Sequence, residues 1–140
     1  MHERAANHSI RLLSVEGDDL RYNCVMFALD GVGNQQYLDL LYQLPNDVHA
    51  DTRFLKYLIE QGHLILSPDG NLIIYFANEH ITHIGKINAV ERIVSKWGRG
   101  HLYEHAIFEV PIEYGDNSHR YEPAKNFDFI QSFKEYIKQN

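Results

Sequence analysis

At 140 residues, the chain has the length of one domain with its own hydrophobic core. Its net charge of −6 argues against a nucleic-acid-binding protein, which needs a basic face. No apolar stretch reaches the length of a membrane helix, and the first residues lack the apolar segment of a signal peptide. One cysteine and no signal predict a reducing compartment, so we expect a cytoplasmic protein or one exported without a cleaved signal.

The first half of the chain is predicted to be mainly helical. Asn23 is a favourable N-cap for the apolar residues that follow it. Pro45 and Gly62 are natural stops for two further segments in which apolar residues recur at helical spacing. The predicted elements are a strand over 7–15 and helices over 25–29, 37–44 and 52–61.

The second half changes to short apolar runs separated by turns, which is typical of strands. Pro111 marks the edge or the end of the last run. Helices first, then a strand meander, then a closing helix indicate an α+β domain spanning residues 1–140. The predicted elements are strands over 71–77, 81–87 and 90–96, an extended segment over 102–114 and a helix over 127–137.

Cys24 is the only cysteine, so it cannot form a disulfide within the chain and lacks the partner thiolates of a zinc site. A thiol in the first turn of a helix lies near partial positive charge, which lowers its pKa and suits a nucleophile. The alternative is a buried cysteine that serves as a small apolar side chain.

His83 is the histidine whose context best suits a base for that nucleophile. Strand alternation puts Ile81, His83, Gly85 and Ile87 on one face. If that face packs on the Cys24 helix, the imidazole points at the helix N-terminus. The alternative is a half-exposed strand histidine.

A catalytic histidine needs a polar group that fixes its tautomer. Ser95 on the next predicted strand could face the same way as His83. Glu104 and His105 follow in the next extended stretch, where either side chain could point inward. Ordinary surface polarity is the alternative for each of them.

Three segments, in this order, resemble the papain-like amidases of the NlpC type, and more narrowly an uncharacterised bacterial branch of that fold. Together they run from about residue 20 to residue 115, which is most of the chain. They are Tyr22-Asn23-Cys24 before an apolar helix, Asp69 to Phe76 leading into Thr82-His83-Ile84-Gly85, and Val94-Ser95-Lys96-Trp97-Gly98 followed by Glu104-His105, Val110-Pro111 and Tyr114-Gly115.

The resemblance implies a papain-like core, in which the helix bearing the cysteine packs on an antiparallel sheet. It implies Cys24 as nucleophile and His83 as base, with a polar residue on the neighbouring strand orienting the histidine. Alignment points to Ser95 for that residue, while the narrower branch offers Glu104 or His105. Asn71 departs from the Gly-Asp that related sequences usually carry before this strand, a position that we interpret as structural.

The implied activity is hydrolysis or transfer at an amide bond by acyl transfer, without a cofactor. The Cys24 N–H would help to hold the oxyanion, with Tyr22 or Asn23 beside it. Trp97, in a loop with Gly98 and Gly100, would line the substrate cleft. The implied substrates are peptidoglycan stem peptides, other isopeptides or glutamine side chains of a protein.

Two other functions remain open at this point. His80 with His83 and His101 with His105 have the residue types of a zinc site. However, a spacing of three on a strand points two side chains to opposite faces. The second alternative is a non-catalytic papain-like domain that binds a partner, such as an immunity protein or a regulatory subunit. A Cys24 thiol without a lowered pKa would favour that function.

Overall fold

A computed structural model of the protein describes residues 9–14, 23–30, 34–45, 47–97 and 101–139. The fold is α+β, as predicted from the order of the elements. The strands are β1 (Arg11–Ser14), β2 (Leu64–Leu66), β3 (Leu72–Ala77), β4 (His80–Ile87), β5 (Ile93–Lys96), β6 (Leu102–His105) and β7 (Asn117–Pro123). The helices are α1 (Cys24–Ala28), α2 (Gln35–Leu41), α3 (Thr52–Glu60) and α4 (Phe129–Lys138), with a short 3₁₀ helix, Ile112–Tyr114.

The seven strands form a single antiparallel sheet in the order β1-β6-β5-β4-β3-β7-β2. Strands β3, β4, β5 and β6 are neighbours in the order of the chain, because short turns join antiparallel strands. Strand β7 then returns to the far side of β3 and pairs with the short edge strand β2.

The helices contribute to the main hydrophobic core on one face of the sheet. Apolar side chains of all four helices cluster there with Leu72, Ile74, Ile84 and Tyr121 of the strands. Helix α1 packs on β4 and β5, and α3 packs on β4 and α4. The helices bury the strand residues of this cluster.

A smaller cluster lies on the opposite face of the sheet. Ile73, Tyr75, Ile93 and Val110 form it, and Tyr114 of the 3₁₀ helix packs against it. The Tyr75 hydroxyl donates a hydrogen bond to the carbonyl of Ile107, which ties the strand to the segment after β6. This face is therefore covered by the chain between β6 and β7, with its short 3₁₀ helix, rather than by an α-helix.

The predicted helices are confirmed in position, with ends that shift by no more than three residues. Gly62 follows α3 with φ of +79°, a conformation that suits its predicted role as a stop. The prediction of one extended segment over 102–114 is wrong, because β6 ends at His105 and the chain turns and forms the 3₁₀ helix. Strands β2 and β7 are additions that the sequence patterns did not predict.

In the part of the chain that is described, no helix combines the length and the apolar character needed to cross a membrane.

Candidate functional site

Cys24 is the first residue of α1, as the capping pattern predicts. The Asn23 side-chain oxygen accepts hydrogen bonds from the N–H groups of Val25 at 2.9 Å and Met26 at 3.0 Å. Asn23 is therefore the N-cap that fixes where the helix begins.

The Cys24 side chain is buried, with 7% of its surface exposed. Burial raises the pKa of the Cys24 thiol from 9.0 to about 11, although backbone hydrogen bonds at Ile84, Cys24 and Val25 act in the opposite direction. The helix has only five residues, so its dipole is short. The thiol is consequently protonated at neutral pH, unlike a catalytic thiolate.

The two predicted oxyanion donors beside Cys24 have different outcomes. The Asn23 amide nitrogen donates to the Ala50 carbonyl at 2.8 Å, and its oxygen caps α1. The amide is thus engaged at both ends in structural contacts, and its part in an oxyanion site stays a prediction. Tyr22 lies outside the described residues.

Backbone pairing places Cys24 and His83 on opposite faces of the sheet. Cys24 packs in the same apolar cluster as Ile74 and Ile84. Ile74 and Ile84 are direct cross-strand partners, and so are Tyr75 and His83 one position along. Because partners share a face and successive residues alternate, His83 points away from α1. The expectation that its face packs on the Cys24 helix is therefore wrong.

A β-bulge explains why strict alternation misleads here. Tyr75 is opposite His83, but the next residue of β3, Phe76, is opposite Ile81, so Thr82 is the extra residue. Ile81 accordingly packs against the helical core, although the unbroken pattern puts it on the same face as His83. The bulge thus separates two residues that the sequence pattern groups together.

Aromatic rings enclose His83, which is 1% exposed. Its imidazole stacks on Tyr114 with ring centroids 4.3 Å apart, and Tyr75 lies at 5.6 Å. The Thr82 hydroxyl donates to the Tyr114 carbonyl at 2.6 Å, which anchors the stacking residue to β4. Burial, and secondarily the neighbouring His105, lower the pKa of His83 well below 6.5, so the ring is neutral at pH 7.

Ser95 and His105 lie on the same face as His83 and are hydrogen-bonded to each other. The Ser95 oxygen is 2.7 Å from His105 Nε2, and His105 Nδ1 is 2.7 Å from the Ala106 carbonyl. A carbonyl can only accept, so Nδ1 carries the proton. Burial lowers the pKa of His105 below 6.5, so the ring is neutral and Nε2 must accept the Ser95 hydroxyl proton.

Three of the four predicted catalytic residues are thus brought to one face, and Cys24 is left on the other. The Ser95–His105 pair has the hydrogen bond of a nucleophile and its base, but both residues are fully buried, with 0% of their surface exposed. A substrate carbonyl cannot reach a hydroxyl in that position. We therefore interpret the pair as a satisfied polar contact between β5 and β6, on the covered face of the sheet.

The two remaining predicted site residues have structural contacts. Trp97 is 8% exposed, and its ring lies 4.3 Å from that of Tyr103. Glu104 lies on the face opposite to His105, because successive residues of β6 alternate. It accepts from Arg11 at 2.9 Å and from Asn88 at 2.9 Å, so the prediction that it orients His83 is wrong.

No group of three or more His, Cys, Asp or Glu side chains in the described ranges could hold a metal ion. His80 is exposed at the start of β4, whereas His83 is buried on the covered face.

Tyr75 and Tyr114 are the residues of this region that sequence reasoning missed. Both are tyrosines far apart in the chain, and they meet at His83 only because the chain after β6 folds back over the sheet. A local pattern carries no signal for such a contact.

Acidification from pH 7 to pH 5 is expected to destabilise the protein. His83 and His105 have lowered pKa values when folded, so below about 6.5 the unfolded chain binds protons first. Above that pH the two neutral rings contribute fully to the free energy of unfolding. This contribution is lost as the pH falls toward the folded pKa, and the free energy of unfolding then changes by up to about 1.4 kcal/mol per pH unit for each proton. Urea denaturation over this pH range measures it.

The matched variants for this measurement are His83→Gln and His80→Gln. The first removes one buried titrating ring and should make the pH dependence shallower. The second changes an exposed ring on the same strand and is the control for the substitution itself. A free energy of unfolding that stays constant between pH 7 and pH 5 would contradict neutral burial of these imidazoles.

Comparison with known proteins identifies a family but no function. No match was found among curated proteins, and none was found among solved structures. The model of one family, a domain of unknown function called DUF7689, matches residues 14–122. That match covers well over half of the chain, including Cys24, His83, Ser95 and His105, and the chain therefore belongs to the DUF7689 family.

Proposed function

We propose that this protein is a non-catalytic binding domain for a peptide or protein partner, built on a papain-like core. The observation that carries the proposal is the separation of Cys24 from His83 by the sheet itself. A thiol with a pKa of about 11, on the face of the sheet opposite to His83, serves as a buried apolar side chain.

The packing of α1 supports the papain-like part of the proposal. A helix that begins at the cysteine rests on β4 and β5, the two strands that carry His83 and Ser95. This is the arrangement that the family resemblance implies, apart from the direction in which His83 points.

A thiol-dependent amidase or peptidase is the second candidate, and one observation favours it. Backbone hydrogen bonds at Ile84, Cys24 and Val25 surround the thiol and lower its pKa against the effect of burial. Such donors could hold an oxyanion. For catalysis, however, the His83 imidazole would have to reach the α1 face, which requires a change in the pairing of β3 and β4 around the bulge.

Alkylation of Cys24 by iodoacetamide, measured against pH, tests the proposal. A pKa of about 11 in place of 9.0 reduces the thiolate fraction at pH 7 by about 100-fold. We therefore expect the native protein to react far more slowly than the same chain in urea, with a midpoint above that of a free thiol. His83→Ala should leave the midpoint unchanged, because the two side chains do not interact.

The opposite result would establish the second candidate. A midpoint below about 7 that rises sharply in His83→Ala would show a thiolate–imidazolium pair. Peptide, isopeptide and glutamine substrates, with peptidoglycan fragments among them, would then be screened, with Cys24→Ser as the inactive control.

A further inference from the structure

A groove of about 540 Å³ lies on the helical side of the sheet, between α3 and the β3–β4 hairpin. Its volume is within the range of about 300–1,000 Å³ that small-ligand sites occupy. Ile59, Phe76 and Ile81, which are partly buried, and the buried Tyr121 supply its apolar surface. None of the predicted catalytic residues lines this groove.

Charged side chains of both signs surround that apolar surface. Lys56 and Glu60 come from α3, and Glu79 comes from the hairpin turn. All three are exposed, and their side chains have no ion pair or hydrogen bond with another described residue.

Arg53, at the same groove, differs from these three. Its guanidinium is already held by the Asp51 carboxylate at 2.8 and 3.0 Å and by the Asp47 carbonyl at 2.9 Å. Lys56 is therefore the cation that remains available to a ligand, and Glu60 and Glu79 are the available anions.

The dimensions of the groove fit an extended peptide. Thr52 and Glu60 both line it, and eight residues of helix separate them by about 12 Å along the axis. An extended chain rises about 3.3 Å per residue, so this length corresponds to about four residues.

We propose that this groove binds an extended peptide segment of about four residues that carries apolar side chains between an acidic and a basic group. The apolar side chains would rest on Ile59, Phe76 and Ile81, the acidic group would meet Lys56, and the basic group would meet Glu60 or Glu79. The inference rests on the proposed binding function and names its site and the chemistry of its ligand.

Titration of the ¹⁵N-labelled full chain with capped tetrapeptides tests the inference. The probes are Asp-Leu-Leu-Lys and the reverse order, Lys-Leu-Leu-Asp, each acetylated and amidated. We expect one order to shift the backbone resonances of α3 and of the hairpin in a saturable way. Lys56→Gln should weaken that binding by about fivefold, the effect of one exposed ion pair.

A double-mutant cycle assigns the contact to Lys56. Replacing the aspartate of the peptide by asparagine should weaken binding to the native protein by about the same fivefold. The same replacement should weaken binding to Lys56→Gln little further. Lys134→Gln is the matched control, because Lys134 is an exposed lysine of α4 that does not line the groove. The affinity of Lys134→Gln for the peptide should equal that of the native chain.

Absence of saturable shifts at millimolar peptide would overturn the inference, as would equal weakening by Lys134→Gln or shifts confined to the other face of the sheet. These failures are distinct from failure of the proposed function, which depends on the reactivity of Cys24. If the thiol is unreactive and no peptide binds in the groove, the proposed binding function stands and its site lies elsewhere. If the thiol is a reactive thiolate and peptide binds in the groove, the non-catalytic function is overturned and the groove remains a peptide site.

Discussion

Replacement of Phe54 by alanine is expected to lower the free energy of unfolding by about 3–5 kcal/mol. Phe54 is fully buried, with 0% of its surface exposed. Its ring contacts those of Phe129, Phe133 and Tyr136 on α4, with centroids 5.8, 5.5 and 5.3 Å away. The substitution removes the ring that makes three of the aromatic contacts between α3 and α4, and it leaves a cavity between rigid rings, which cannot collapse to fill it.

Urea denaturation monitored by circular dichroism measures the change. Leu66→Ala is the matched control, since Leu66 is an apolar residue that is 63% exposed on the edge strand β2. Its replacement should change the free energy of unfolding by no more than about 0.5 kcal/mol. A loss below about 1 kcal/mol in Phe54→Ala would show that the aromatic cluster is not the centre of the core.

Replacement of Gly115 by alanine is expected to cost about 3 kcal/mol or more, from two separate causes. Gly115 has φ of 88° and ψ of −178°, a region that only glycine adopts readily. A Cβ atom there would also lie 2.2 Å from the Phe76 carbonyl oxygen, which is backbone and cannot move aside easily. The preceding residue, Tyr114, is the ring that stacks on His83.

Gly62→Ala separates the two causes. Gly62 also has a positive φ, of 79°, but no atom lies within 4 Å of the position that an alanine methyl group would take there. Its substitution should therefore show only the conformational cost, about 1 kcal/mol. Equal losses in the two variants would mean that the close approach of Gly115 to β3 contributes nothing.

Local patterns determined the helices because the causes of a helix lie within a few residues. Asn23 caps α1 through its own side chain, and Gly62 ends α3 through its own backbone freedom. The apolar spacing of α3 and α4 matches the faces that are buried. The strands β3 and β4 were predicted for the same reason, since both are short apolar runs between turns.

Strands β2 and β7 escaped prediction because their pairing, rather than their composition, makes them strands. Strand β7 is mainly polar, and only Tyr121 in it is buried. It extends because its backbone forms hydrogen bonds with β3 on one side and with β2 on the other. Strand β2 has three residues, which is too short for a periodic signal.

The candidate site, too, was predicted from the sequence only in part. Sequence alone identified Cys24 at a capped helix start, predicted strands for His83 and Ser95 and placed His105 in the extended stretch that follows. It could not determine which face of the sheet α1 covers, because that depends on contacts between distant parts of the chain. Nor could it show the bulge between β3 and β4, which moves Ile81 away from the face of His83. Whether Cys24 and His83 can act as a pair thus depends on the face to which each side chain points, and the alkylation experiment tests this through the pKa of the thiol.

The sequence by itself determined the α+β class, the positions of the helices and the capped start of α1, because each depends on neighbours in the chain. Only the tertiary structure decided that Cys24 is buried on one face and that His83, Ser95 and His105 meet on the other. It also placed Lys56 beside the hairpin that carries Glu79. These contacts join distant parts of the chain through strand pairing, and a change of one residue in register reverses them.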